Sequence, residues 1–404
     1  MSQTPKRLAT RLTAVGERHL RLGHPWIYDQ SIERIKGEGE PGDLAVIFDR
    51  RKDHFLGIGL YDPHSPIRIK VLHQGQPVRI DEAFCNDTID QAFGLRRPLM
   101  ATDTNSYRLI NGENDGFPGL ILDVYAQAAV IKLYSLIWRP YFAAIVEKIL
   151  GVTGANILIL RLSRLVSTSK DLPVEWKDGI VLINLTGAPV NSTISFREHG
   201  LHLSANVLHG HKTGFFLDHR HNRKRVGELA RDRNVLDIFS YAGGFTVHAL
   251  NGGATEVTSL DISSQALEMA KQNIKLNFSN KPHKIIVGDA FETMEQLHKN
   301  GCRYDLIVVD PPSFAKRESE KEGALKAYRR LTKLALQIIA PRGILLLASC
   351  SARVSTEEFF QLQREELASS GRSYREMETT QHDIDHPVTF PEGSYLKSIY
   401  FELL

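Results

Sequence analysis

From about residue 200 onward, short runs of β-branched and aliphatic residues alternate with segments of helical period, and this alternation constrains the fold more than any other feature. The runs are VLDIF (235–239), VTSLD (257–261), KIIVGD (284–289), YDLIVVD (304–310), GILLLASC (343–350) and SIYFEL (398–403). Between them lie stretches such as SSQALEMAKQNIKLN, where Leu267, Ala270 and Ile274 recur at helical spacing behind a serine start signal. The pattern predicts an α/β fold with a doubly wound, mostly parallel sheet. Ligands of such sheets bind beyond the carboxyl ends of the strands, so the last residues of each run are where chemistry is expected.

A chain of 404 residues exceeds what one core usually organises, which implies two or three domains. Residues 1–75 read as a small β-rich module, with PGDLAVIFDR, HFLGIGLYD and IRIKVL as strands between Pro, Gly and Asp turns. Residues 76–195 mix a helix near 138–151 with the runs GLILDV, AAVIKLY, NILILRL and IVLINL, as an α+β domain would. Residues 196–404 hold the α/β domain.

The acids at the strand ends narrow the ligand. Asp261, Asp289 and Asp310 terminate three of the runs, and Asp237 sits near the end of the first, just before FSYAGGF. Asp261 follows Gly243 by 18 residues. That is the position from which a carboxylate bonds the ribose hydroxyls of an adenosine-containing ligand. The turn Y-A-G-G-F lacks the G-x-G-x-x-G spacing that brings backbone N–H groups to a pyrophosphate, which disfavours a dinucleotide. S-adenosylmethionine needs no phosphate cradle, and its sulfonium and amine are cations that Asp237 can offset. After the fourth run comes Asp310-Pro311-Pro312-Ser313-Phe314, where two prolines stiffen an extended turn into a polar platform. Such a platform can receive the edge of a planar base, with Phe314 stacking on its face or packing beneath it.

Taken in order, FSYAGGF, SLDIS, GDAF, DPPSF and ASCSA resemble the class I Rossmann-like methyltransferases, and within them the bacterial large-subunit ribosomal RNA 5-methylcytosine methyltransferases. The likeness extends to HKTGFFLDHR (211–220), GHPW (23–26), RLINGE (108–113), DHP (385–387) and PEGSYLK (391–397), and so covers nearly the whole chain. It implies a PUA-type RNA-binding module in residues 1–75, a middle α+β domain, and a C-terminal transferase domain that uses S-adenosylmethionine. Carried over motif by motif, it implies that Lys212, Thr213, Gly214, Phe216 and Asp218 help enclose the cofactor. Phe239, Tyr241, Gly243, Ile262 and Ala290 would join Asp237, Asp261, Asp289 and Asp310 around it, and Pro311, Pro312 and Phe314 would meet the base.

Cys350 then selects the reaction. Cytosine carbon 5 is a poor nucleophile, and addition of a thiolate to carbon 6 turns it into an enamine-like centre able to take a methyl group. Cys350 ends the run GILLLASC and should share the carboxyl edge with Asp310 if the two strands are neighbours. Asp310 would bond the base near nitrogen 3. Many RNA cytosine methyltransferases carry a second Cys beside the Asp-Pro-Pro motif; Ser313 stands there instead, and the ribosomal family named above also lacks that Cys. Transfer to a guanine nitrogen is the alternative chemistry, and a non-catalytic RNA-binding assembly factor the alternative class.

The remaining composition sets limits. No apolar run approaches the roughly 20 residues that span a bilayer, and the first 22 residues lack a signal-peptide core, so no membrane partner and a cytoplasmic location are expected. Cys85, Cys302 and Cys350 are too widely spaced for a disulfide framework or a zinc cluster, and no metal is expected. The net charge of +3 is small, but basic residues cluster in 1–25, in 220–233 and from Lys316 to Lys333. Together these runs favour a polyanion, here 23S ribosomal RNA or a large-subunit assembly intermediate, with Arg21 and Trp26 as contacts from the first module. No motif addresses self-association, and a homodimer stays open.

Overall fold

The computed structural model describes residues 4–51 and 53–404, and the chain falls into two compact units. The first holds residues up to 196 together with 205–216 and 384–391; the second holds 197–204, 217–383 and 392–404.

In the first unit, β1 (Arg7–Leu12), α1 (Ala14–Arg21), β2 (Trp26–Tyr28), β3 (Ile32–Lys36), β4 (Leu44–Phe48), β5 (Phe55–Tyr61) and β6 (Ile67–Gln74) build a six-stranded sheet of order β2-β6-β5-β4-β1-β3. β1 alternates strictly, with Leu8, Thr10 and Leu12 buried and Arg7, Ala9 and Arg11 outward. The basic residues read from 1–25 are therefore the outer face of a strand and of the short helix behind it. Next come α2 (Glu82–Met100), β7 (Ser106–Asn111), β8 (Leu120–Tyr125), β9 (Ala128–Leu133), α3 (Phe142–Thr153), β10 (Ile157–Leu162), α4 (Arg164–Ser167) and β11 (Ile180–Asn184), with sheet order β11-β10-β9-β8-β7. One apolar cluster runs from Leu44, Ile58 and Leu60 of the first sheet to Ile89 of α2, Trp138 and Ile145 of α3, so the two sheets share a core. The expected helix near 138–151 begins instead at Phe142, because Pro140 lies in a 3-10 turn over Leu136–Tyr141. The 19-residue α2 is not evident from periodicity, since Gly94 and Pro98 interrupt its pattern; Asp81 caps its first turn through Phe84 N.

A hairpin of β12 (Thr193–Glu198) and β13 (Leu201–Asn206) is divided between the units, with residues 197–204 in the second. That unit contains α5 (Arg220–Leu229), β14 (Asn234–Ile238), α6 (Gly244–Asn251), β15 (Glu256–Asp261), α7 (Ser264–Lys275), β16 (His283–Val287), α8 (Ala290–Lys299), β17 (Tyr304–Val309), α9 (Lys321–Ile338), β18 (Ile339–Ser349), α10 (Thr356–Ser369), β19 (Tyr374–Thr380) and β20 (Lys397–Leu403). Its seven strands lie in the order β16-β15-β14-β17-β18-β20-β19. The first five are parallel and β20 inserts antiparallel beside β18. This is the doubly wound α/β architecture that the alternation predicts, with one added edge strand, β19, whose sequence YREMETT is too polar to read as a strand. The switch in strand order lies between β14 and β17, the position at which sheets of this kind bind their ligands. Among the described residues, no helix is long and apolar enough to cross a membrane.

Two basic runs change meaning once folded. Arg220 and Arg223, counted in the basic run 220–233 that favours a polyanion, are buried: Arg223 makes a bidentate pair with Glu198 (2.7 and 2.6 Å), and Arg220 pairs with Asp383 at 3.0 Å. Burial pushes the Glu198 carboxyl up, but Arg223 and His248 outweigh it and hold the group well below the usual range. In the Lys316–Lys333 run, Arg329 pairs with Glu365 and Glu366, Arg330 with Glu295, and Lys321 with Glu358. The paired residues of both runs thus spend much of their charge within the unit.

Candidate active site

The parallel register sets Ile238 of β14 opposite Leu260 of β15 and Val309 of β17, and Val309 opposite Leu347 of β18. The turns after these four strands therefore open on one edge of the sheet. They carry Phe239–Gly243, Asp261–Ser263, Asp310–Phe314 and Cys350. β17 and β18 are direct neighbours, the condition under which Asp310 and Cys350 share that edge.

The turn after β14 is strained. Phe239 and Tyr241 both adopt left-handed backbone (φ 63° and 47°), a state that costs a side-chain-bearing residue roughly 1–3 kcal/mol and that gathers at functional sites. Gly243 is left-handed as well (φ 73°), and a Cβ there would stand 2.7 Å from the Cβ of Ala270, so the turn lies directly on α7. Asp261 locks the arrangement: Oδ2 accepts from Tyr241 N at 2.9 Å and Oδ1 from Ser263 N at 2.8 Å. Each carboxylate oxygen retains a second acceptor site for a ribose hydroxyl. Ile262 beside it is 74% exposed, an apolar surface at the rim of a polar turn. Asp289 is exposed and caps α8 through Phe291 N and Glu292 N, while Ala290 starts that helix and is buried.

Asp237 is buried at the floor of this edge. Its Oδ2 accepts from Thr246 N (3.1 Å) and Thr246 Oγ1 (2.7 Å), and Oδ1 has no hydrogen-bond partner among the described residues. Burial, with the charges of Asp310 and Asp261 adding to it, pushes the carboxyl up to about 7. A buried carboxylate oxygen without a donor is costly unless a ligand supplies one.

Opposite it, Asp310 Oδ1 lies 3.2 Å from Nε2 of the buried His219, at ion-pairing distance though not aligned as a straight hydrogen bond. Asn222 fixes that ring. Its Oδ1 accepts from the hydroxyls of Thr380 (2.7 Å) and Tyr400 (2.9 Å), which turns Nδ2 to His219 Nδ1 at 3.0 Å and leaves the ring proton on Nε2, facing Asp310. Burial pulls the imidazole down, yet Asp310 and Asp218 outweigh it and the group is raised. Asp218 accepts from Tyr395 Oη at 2.9 Å.

Cys350 follows β18 with Sγ 3.6 Å from the Pro311 carbonyl oxygen. Pro311 is buried and Pro312 exposed, while Phe314 is half-buried and packs on the Tyr328 ring (centroids 5.2 Å apart), beneath the platform. Ser313 Oγ and Ser351 Oγ both donate to Ala315 O, at 3.2 and 3.1 Å, tying the Asp-Pro-Pro loop to the Cys350 segment.

The segment 211–220 is divided between the units. Asp218 belongs to the second. Lys212, Thr213, Gly214 and Phe216 belong to the first: Thr213 is buried and donates to Asp123, Lys212 Nζ lies 4.6 Å from the Phe216 ring centroid, and Gly214 takes φ 131° against the Asn206 backbone. Trp26 is half-buried in the first unit, donating from its indole N–H to Glu113 Oε1 (2.8 Å) and meeting Phe390 edge-on. Arg21 is exposed and pairs with Glu17. His219 and Lys397 lie in the quoted motifs 211–220 and 391–397, but neither they nor Asn222 is assigned a role by the pattern, because those roles arise from contacts across long stretches of chain.

Comparison with known proteins agrees with this geometry. A model described as S-adenosylmethionine-dependent methyltransferase matches residues 172–401, and a PUA-like domain model matches residues 11–74. A Deinococcus radiodurans protein named ribosomal RNA large subunit methyltransferase is 44% identical over 404 residues, 98% of either chain. An Enterobacter protein named ribosomal RNA large subunit methyltransferase I is 35% identical and covers 96% of this chain and 97% of its own. A solved structure described as a methyltransferase complexed with SAH superposes with a TM-score of 0.81 at 20% identity, covering 98% of this chain and all of the other.

Proposed function

Since this chain belongs to the S-adenosylmethionine-dependent methyltransferases, alongside proteins named ribosomal RNA large subunit methyltransferase, we propose that it methylates carbon 5 of a cytosine in 23S ribosomal RNA, with Cys350 as nucleophile. The residues at the sheet edge fit the cofactor. The unpartnered Oδ1 of Asp237 calls for a cation, the Phe239–Gly243 turn offers close backbone approach without a phosphate cradle, and Asp261 stands beside the exposed Ile262 for an adenosine. When bound, S-adenosylmethionine supplies an electrophilic methyl group on a sulfonium cation.

The single observation that carries the cytosine reading is the thiol of Cys350 set against the Asp310-Pro311-Pro312 loop. The Cys350 thiolate adds to carbon 6, forming a C–S bond, and the electron pair of the 5,6 double bond becomes available at carbon 5. Asp310, whose Oδ1 faces the His219 Nε2–H, bonds the base near nitrogen 3. The proton of His219, passed through this pair, offsets the negative charge that develops there and returns when the double bond re-forms. After carbon 5 has been methylated its proton leaves to a base, the double bond re-forms, and the thiolate departs. Guanine nitrogen transfer needs no thiol at this position. The module of residues 1–75, which contains the PUA-like match, and the middle domain of 76–195 are proposed to supply RNA affinity to the transferase domain of 196–404.

Replacing Cys350 with Ala should abolish methyl transfer to a 23S RNA fragment and leave S-adenosylmethionine affinity within about twofold, since the thiol acts on the base. RNA carrying 5-fluorocytosine should trap a protein–RNA adduct with the native enzyme, because fluorine cannot leave as a proton does. A Cys350→Ala protein that methylates at the native rate overturns the covalent route and returns the guanine reading.

A further inference from the structure

Lys397 is a cation in an unusual place. It opens β20 directly opposite Ser349, the residue before Cys350, and is completely buried. Its three N–H donors meet three backbone carbonyls: Ser351 O and Val354 O, both after the thiol, and Tyr395 O at 3.2 Å. An ammonium has three donors and no acceptor, so this set saturates it. A lysine is almost never fully buried without an ionic partner, and backbone carbonyls are a poor substitute for one.

We propose that Lys397 is the positioning residue of Cys350: its buried ammonium clamps the segment 351–354 and stabilises the thiolate, so that the nucleophile is primed before RNA arrives. The inference rests on the reading of Cys350 as nucleophile. Burial lowers the lysine to about 8, and the charge of Cys350 acts to raise it again. The coupling is reciprocal, so a protonated Lys397 favours thiolate over thiol. Asp310 on the loop after β17 and Tyr328 on α9 face the thiol side, and Glu357 and Glu358 at the start of α10 face the lysine. Glu358 is already paired with Lys321 and Asp310 with His219, so Lys397 is the cation that holds the Cys350 segment itself, and the acids oppose its effect on the sulfur.

The test is the pH profile of Cys350 alkylation by iodoacetamide in the full chain, read peptide by peptide in a mass spectrometer, with Cys302 as internal control. An ordinary thiol titrates near pH 8.5, and the native Cys350 midpoint should lie below that. Lys397→Met keeps length and apolar character but removes the charge. It should raise the midpoint by about one pH unit, equivalent to roughly tenfold less thiolate at pH 7, with the Cys302 profile unchanged. Lys397→Arg should retain the native midpoint. A merely structural clamp would alter access to the sulfur and hence the plateau rate, but not the midpoint. The proposal fails if the native midpoint is at or above 8.5, which needs no variant to fold, or if Lys397→Met leaves the midpoint in place. These outcomes are independent of methyl transfer: loss of the Cys350 nucleophile reading would appear as activity in Cys350→Ala, not as a shifted thiol titration.

Discussion

The interior of the first unit and the strand-end edge of the second both bury ionised groups, and they treat them in opposite ways. Arg96 on α2 is fully buried, and all five of its N–H donors are used. Nε bonds Arg108 O, Nη1 bonds Ala92 O and Asp115 Oδ1, and Nη2 bonds Asp115 Oδ2 and Asp385 O. Arg108 pairs with Asp123 (2.8 and 3.0 Å), and its backbone N–H donates to Asp385 Oδ2. The motifs RLINGE and DHP, 277 residues apart at this contact, are thereby joined in one network that uses every donor of Arg96 and pairs both arginines with carboxylates, although the ring of His386 keeps Nε2 without a partner among the described residues. At the sheet edge Asp237 keeps an oxygen without a donor, and Asp310 is only partly enclosed. A network of paired charges is framework, whereas a buried carboxylate left open is a place for something to bind.

The largest effect that can break this contrast is in the framework. Replacing Arg96 with Met fills much of the volume but leaves Asp115 buried without its cation, and removing one partner of a buried pair costs about 3–5 kcal/mol. Urea unfolding should show the midpoint falling by that equivalent with little change in slope. A loss below about 1 kcal/mol would mean that the network is incidental to the unit.

A smaller effect, of opposite sign, belongs to Asp237. Its folded value of about 7 lies above the roughly 3.9 of an unfolded carboxyl, so between those values the folded state holds a proton that the unfolded chain has released. Stability from this group is accordingly present at low pH and lost as pH rises through about 7. A bound cation needs the carboxylate, so S-adenosylmethionine affinity should rise with pH through about 7 and level off above it. Asp237→Asn should weaken the cofactor at pH 8 by at least tenfold, about 1.4 kcal/mol, without lowering the stability of the ligand-free protein. Calorimetric titration from pH 5.5 to 8.5 with parallel thermal melts checks both halves. An affinity independent of pH and of the substitution would remove Asp237 from the cofactor site.

How far the sequence spoke follows the same division. The strands of the parallel sheet are buried on both faces and read as apolar runs, so β14 to β18 fall within a residue or two of expectation except for the start of β18, which lies four residues earlier at Ile339. The strand-end acids were legible because their position depends only on local order. β1 is hard to read locally although Leu8, Thr10 and Leu12 alternate, because only two of its inward residues are apolar and Arg7 and Arg11 mark the segment as charged. Arg220 and Arg223 show the reverse: a run of basic residues says nothing about Glu198 and Asp383 arriving from distant segments to neutralise it. His219 beside Asp310 and Lys397 beside the Cys350 segment depend on strand order, and β20 inserted next to β18 is a feature no local pattern encodes.

The smallest expected effect concerns charges that belong neither to the framework nor to the site. Arg7 and Arg18 are exposed on the six-stranded sheet and its helix, whereas Arg11 and Arg21 spend their charge on Asp53 and Glu17. Exposed pairs contribute about 0–1 kcal/mol, so replacing Arg7 and Arg18 with Ala should leave stability and cofactor affinity unchanged within error. If this face meets phosphates, each contact removed lowers the salt dependence of RNA binding by about 0.7–0.9 in the slope of log K against log salt. The double variant should then show a slope reduced by about 1.5 and, near physiological salt, only a several-fold weaker affinity for a 23S RNA fragment. Arg220 and Arg223, buried against Glu198 and Asp383, offer the contrast, since changing them should move stability first. Titrations at four salt concentrations separate the cases: an unchanged slope in the Arg7/Arg18 variant assigns the phosphate contacts to another face, and the basic count of residues 1–25 then carries no information about RNA.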